Sequence, residues 1–143
     1  MKRILILTGE KSGEIIAKPL VLEIKKQFEE SIHISGMAGD ILSPHLDKTI
    51  INSSNFGVIG FVEALSKYRV LKIAQSKIFR ELKSSTFDLV ILVDYIGFNL
   101  TIGKFAKKVG IPVILYVGPQ VWAWKKNRIK KLSSLFLQIS MKM

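Results

Sequence analysis

Apolar residues in this chain fall into short unbroken runs, separated by stretches where they recur every three or four positions. Ile4 to Leu7, Leu89 to Val93 and Ile111 to Val117 are runs rich in β-branched residues. A strand with one wet face would alternate, whereas a continuous run suits a strand covered on both faces, in the middle of a parallel sheet. Ile32 to Ser35 and Thr49 to Ile51 read as shorter strands, and Leu135 to Ile139 as a last one. Between the runs, Ile16, Leu20, Ile24 and Phe28 give a helix its buried face. Ser12 is a candidate N-cap for that helix, Glu14 is favourable in its first turn, and Pro19 should kink it. Leu71, Ala74, Ile78 and Leu82 form the stripe of a helix from about Lys67 to Lys83. A third helix runs from Asn99 to Val109 and stops at Gly110. Strands and helices that alternate without internal repeats predict one α/β domain, a Rossmann-like, doubly wound, mainly parallel sheet.

The ends of the runs hold the candidate chemistry, because open α/β sheets bind ligands at the carboxyl ends of their strands. Asp94 follows the most central run directly. A carboxylate there can act as a base, and Asp after a strand can equally cap a helix. Position alone leaves both readings open. Thr8 to Glu14 is a turn with two glycines leading into a helix, the layout of an anion site. It matches neither the P-loop nor G-x-G-x-x-G, so alone it reads as a tight βα turn. Gly36 to Gly39 reads as a second flexible turn. Gly118 to Trp124 closes another run, and both tryptophans of the chain, Trp122 and Trp124, lie there ahead of Lys125, Lys126, Arg128, Lys130 and Lys131.

Composition narrows the class. The 143 residues suffice for one domain with a real core. They are 48% hydrophobic, with a mean hydropathy of +0.30. A net charge of +11 favours a polyanionic partner: nucleic acid, an anionic membrane surface or a phosphorylated substrate. Cysteine is absent, which excludes disulfides and thiolate metal sites, and His33 and His45 alone are too few for a histidine zinc site. The amino terminus has Lys2 and Arg3 before an apolar run, but the run is too short for a signal peptide. No stretch approaches the roughly 18 apolar residues of a membrane span. The apolar segment from Phe56 to Leu65 stands directly before the basic helix, a pairing suited to peripheral membrane contact. A cytoplasmic protein that touches a membrane surface is the expectation. Nucleic acid is disfavoured as a partner, since the chain carries neither an RNA-binding signature nor a helix-turn-helix pattern.

Taken together, these loops resemble the amino-terminal half of the lipid-A-disaccharide synthases, membrane-associated glycosyltransferases with a two-domain GT-B fold. Glu10, Ser12 and Gly13 match the family's G-E-x-S-G-D motif, with Glu14 in place of the usual Asp. Gly36 to Gly39 matches its second glycine turn, and Phe56 to Leu65 its apolar segment ending in E-x-L. Asp94-Tyr95-Ile96-Gly97-Phe98-Asn99 is similar to D-Y-P-G-F-N, with Ile96 at the Pro position. Tyr116 to Trp124 resembles Y-V-S-P-Q-V-W-A-W, with Gly118 for Ser, and Lys125 then stands where Arg is usual.

The resemblance implies transfer of 2,3-diacylglucosamine from its UDP derivative to 2,3-diacylglucosamine 1-phosphate in lipid A biosynthesis, with inversion and with neither metal nor cofactor. Asp94 would be the base, and Glu10, Ser12, Gly13, Asn99, Gln120, Trp122 and Trp124 would bind substrate. Residues 1–143 would form the acceptor-side domain, on the cytoplasmic face of the anionic inner membrane. The donor-binding carboxy-terminal domain is expected to be absent, so the chain would be a truncated or split enzyme, with a separately encoded carboxy-terminal half as a candidate partner. Two alternatives stand beside this: a non-catalytic domain that keeps the acceptor site, and a basic nucleic-acid-binding α/β domain.

Overall fold

The computed structural model describes residues 1–57, 64–117 and 137–140. Among these residues six strands, β1 (Lys2–Thr8), β2 (Ile32–Ala38), β3 (Lys48–Asn52), β4 (Leu89–Val93), β5 (Val113–Val117) and β6 (Leu137–Ser140), form one sheet. Their order is β3-β2-β1-β4-β5-β6, and every pairing is parallel. Among the described residues three α-helices accompany it: α1 (Lys11–Phe28), α2 (Ala64–Ser84) and α3 (Ile96–Lys108).

The unbroken runs have a direct cause in this layering. Ile4, Ile6, Ile34, Ile91 and Val93 pack on the side of Ala17 and Val21 of α1. Their neighbours Leu5, Leu7, Val90, Leu92 and Leu115 pack on the opposite side, with Ala74, Ile78 and Leu82 of α2 and Ile102 and Ala106 of α3. Both sheet faces are therefore core, and each buried Leu or Ile contributes about 1.5–3 kcal/mol. The chain builds β1, β2 and β3 outward in one direction, then returns to place β4 on the other side of β1. Connections leaving β1 and β4 diverge at that point, which opens a crevice at their carboxyl ends.

Helix ends follow local chemistry where a local signal exists. After α3, Gly110 adopts φ 84°, its N–H donates to Lys107 O (3.0 Å), and the Ile111 N–H donates to Ala106 O (2.9 Å). This pair of bonds is a Schellman motif, and the stop at Gly110 agrees with the sequence reading.

Four local expectations change. First, α1 buries Gly13, Glu14, Ala17 and Val21, with Ile16, Leu20 and Ile24 only part-buried, and Phe28 is 51% exposed. The helix is rotated from the expected stripe because small and medium side chains let it sit close on the sheet. Second, the N-cap of α1 is Glu10, in extended conformation and without a side-chain cap bond, so Ser12 lies inside the helix. Third, α3 starts at Ile96 and not at Asn99; α1 runs from Lys11 to Phe28 with Pro19 inside it. Pro19 and Ile15, whose carbonyl loses its helical partner there, are both exposed, so water can replace the bond. Fourth, residues 36–38 belong to strand β2 and are not a turn.

Gly36 is needed there for space. A Cβ at this position would lie 2.3 Å from Ile6 O and 2.9 Å from Ile6 Cγ2 on the neighbouring strand. Gly36→Ala is expected to cost about 3 kcal/mol through overpacking, read as an earlier midpoint in urea denaturation. An unchanged midpoint would mean that the two strands can part at no cost.

Candidate active site at the β1–β4 crevice

Strand β4 ends in an uncommon backbone. Asp94 and Tyr95 have φ 50° and φ 47°, two successive non-glycine residues in the left-handed region. Each such residue costs roughly 1–2 kcal/mol, with Asp better tolerated than most. The turn persists because its neighbours hold it. The Asn99 side-chain amide donates to Asp94 O (2.7 Å) and to Val93 O (3.3 Å). The Asn99 N–H donates to Tyr95 O (3.1 Å), and the Asp94 N–H donates to Tyr116 O (3.3 Å).

This turn sets what each residue can do. Tyr95 is the N-cap of α3, without a side-chain cap bond, so the helix begins at Ile96 and not at Asn99. Asp94 lies one residue before the cap, part-buried, and its carboxylate accepts no hydrogen bond among the described residues. The capping role open to Asp94 in the sequence is thus not taken up. Asn99, expected as a substrate contact, is 0% exposed; its NH2 group donates to the backbone, and its Oδ1 has no partner among the described residues. In this structure it positions the turn that carries Asp94.

The β1 loop reaches the same place. A Cβ at Gly9 would lie 2.1 Å from a Tyr95 ring atom, so the aromatic ring fills the space of the missing side chain. A Cβ at Gly13 would stand 3.8 Å from Asp94 Cβ and 3.5 Å from Val93 O. The start of α1 therefore packs directly beside the β4 turn. Burial, and secondarily the charge of Glu10, push the Tyr95 hydroxyl above its ordinary pKa. Glu10 and Ser12 are exposed at the mouth of the crevice.

Glu14 has a role that the sequence did not reveal. It is 4% exposed, and its Oε2 accepts the N–H groups of Ile41 (3.0 Å) and Leu42 (2.8 Å). Its other oxygen lies where a Cβ at Gly39 would come within 2.4 Å. Glu14 thereby ties α1 to the loop after β2, and its polar character in a helix stripe gave no hint of a buried anchor. Beside it opens a cavity of about 560 Å³ lined by Gly9, Glu10, Ser12, Asp40 and Ser54 among others. Its ionisable members are Glu10, Glu14, Asp40 and Lys11, an acidic balance suited to hydroxyl donors more than to phosphate. A second, apolar cleft of about 360 Å³ lies between α2 and the start of α3, and Tyr95 borders it.

Gln120, Trp122 and Trp124 lie outside the described residues, as do the departures Gly118 and Lys125 and the middle of the apolar segment, residues 58–63. Phe56, at the start of that segment, is buried in the core. Among the described residues no group of three or more His, Asp or Glu could hold a metal ion.

A profile of the lipid-A-disaccharide synthetase family matches residues 4–140. The chain belongs to this family. It is 37% identical over 134 residues to lipid-A-disaccharide synthase of Trichlorobacter lovleyi, covering 94% of this chain and 35% of that protein. The Coxiella burnetii synthase is 37% identical over 131 residues, covering 92% of this chain and 35% of the relative. This family member thus spans about a third of the length of the curated relatives it matches. The crystal structure of Acinetobacter baumannii MurG superposes on all of this chain and on 41% of its own, with a TM-score of 0.64 at 16% identity. That likeness concerns the fold, and it agrees with the Rossmann-like sheet expected of a GT-B amino-terminal domain.

Proposed function

We propose that residues 1–143 are the acceptor-side domain of a lipid-A-disaccharide synthase, with Asp94 as the general base. The observation that carries this reading is the Asp94 carboxylate, which accepts no hydrogen bond among the described residues and sits on a left-handed turn at the crevice where the strand order reverses. Asp94 takes the proton of the attacking hydroxyl of diacylglucosamine 1-phosphate. The oxygen then forms a bond to the anomeric carbon of the UDP-linked sugar on the face opposite the leaving group. The bond to UDP breaks, UDP carries away the electron pair, and the configuration inverts. General base catalysis of this kind contributes about 10²–10⁴-fold. The acidic cavity beside Glu10 and Glu14 supplies acceptors for sugar hydroxyls. With a family donor-binding half and the UDP-linked donor supplied, disaccharide should form from the acceptor. Acceptor binding without any transfer would instead leave a binding domain.

The domain works at the cytoplasmic face of the inner membrane in this reading, with an anionic bilayer as partner. No helix among the described residues is long and apolar enough to cross a membrane. Helix α2 instead exposes Arg69, Lys72, Lys77, Arg80 and Lys83 together with Tyr68, Val70 and Ile73, the last 70% exposed. The protein should pellet with anionic vesicles and come off as salt rises, since each basic residue near such a surface contributes about 1 kcal/mol. Equal partition onto neutral and anionic vesicles would refute the electrostatic part.

A further inference from the structure

We propose that the cleft between α2 and α3 holds one fatty acyl chain of the glycolipid acceptor, an assignment that rests on the acceptor-side reading above. The cleft has a volume of about 360 Å³, and Leu71, Ile96, Phe98 and the rings of Tyr68 and Tyr95 contribute most of its wall. Such a surface offers an alkyl chain dispersion contacts and release from water, and offers a sugar or a nucleotide few hydrogen bonds.

Gly97 is the most informative residue of the lining. A Cβ built there meets no heavy atom within 4 Å. Its φ is not positive either, unlike that of Gly110. Neither the backbone nor a tight neighbour requires glycine at the second position of α3, where glycine is a poor helix former. Its effect in this structure is to leave the cleft open.

Two further features select the acceptor as the occupant. Tyr95 walls the cleft and also packs against Gly9, and it directly follows Asp94 in the chain. An acyl chain in the cleft would therefore bring its own sugar to the Asp94 turn. Lys72 borders the cleft, with its ammonium 5.4 Å from the Tyr68 ring centroid. A cation at that border suits an acceptor that carries a phosphate beside its acyl chains.

The experiment measures binding of two probes to the full chain: diacylglucosamine 1-phosphate with long acyl chains, and the same compound with short ones. The wild type should favour the long-chain probe, by about fourfold for each methylene that enters the cleft. Gly97→Leu fills the open space without a backbone penalty and should fold at least as stably. If it displaces two or three methylenes, it weakens the long-chain probe about 15–60-fold, and it leaves the short-chain probe within about twofold. Gly97→Ala should fall between, which keeps the test decisive if the leucine variant folds poorly. Retained long-chain affinity in Gly97→Leu, or equal weakening of both probes, overturns the acyl assignment and leaves the acceptor reading intact. Wild-type binding with no chain-length preference does the same. Binding of neither probe overturns both. A Gly97→Leu defect confined to vesicles of neutral phospholipid would assign the cleft to a bilayer lipid and overturn the acceptor as occupant.

Discussion

Asp94→Asn is expected to lower glycosyl transfer by about 10²–10⁴-fold while leaving acceptor binding nearly unchanged. The two side chains are nearly the same size, and Asn tolerates the left-handed backbone at φ 50° as well as Asp does. The Asp94 carboxylate accepts no hydrogen bond among the described residues, so the exchange removes no visible structural bond. What disappears is the ability to take the proton of the attacking hydroxyl. The measurement is turnover at saturating acceptor in an enzyme carrying a donor-binding half, with thermal stability followed alongside. Turnover within a few-fold of wild type would remove Asp94 from catalysis. A large fall in both turnover and stability would make it a structural residue instead.

Glu14→Ala should reduce stability by about 2–4 kcal/mol, because it leaves the N–H groups of Ile41 and Leu42 without their acceptor. Leu42 is fully buried and Ile41 part-buried, so water can compensate only at the second. Glu14→Gln should cost less, since one amide oxygen can accept both N–H groups. Its NH2 group would then face Gly39, where Glu14 Oε1 now lies close to the backbone. Urea denaturation of the three proteins orders these effects. An alanine variant within about 0.5 kcal/mol of wild type would show that the loop after β2 finds other partners. Loss of acceptor binding in Glu14→Ala, with a smaller loss in Glu14→Gln, would further tie this anchor to the cavity beside it.

The two predictions concern residues of different legibility. Asp94 was visible because an apolar run ends there and a family motif begins. Glu14 was visible only as a favourable first-turn charge, since its partners lie 27 and 28 residues further along the chain. No local pattern records a bond of that span.

The sequence by itself determined the layers of this protein. Runs such as Leu89 to Val93 have no polar position, so only a strand with both faces covered can hold them, and the structure places helices on both sides. The stripe of Leu71, Ala74, Ile78 and Leu82 likewise predicted the packed face of α2, and Gly110 its neighbour's stop. Tertiary structure alone decided the rest. Gly36 looked like a turn former and is a strand residue, because the missing side chain makes room for Ile6 across the sheet. The face that α1 buries turned toward Glu14, Ala17 and Val21, because closeness to the sheet outweighed the size of Ile16 and Phe28. Asp94 and Tyr95 took left-handed backbone that neither favours, because Asn99 and the β5 residue Tyr116 bind the turn. Periodicity records which side chains avoid water. It carries no information about which distant backbone will stand opposite them, and the site is built from those meetings.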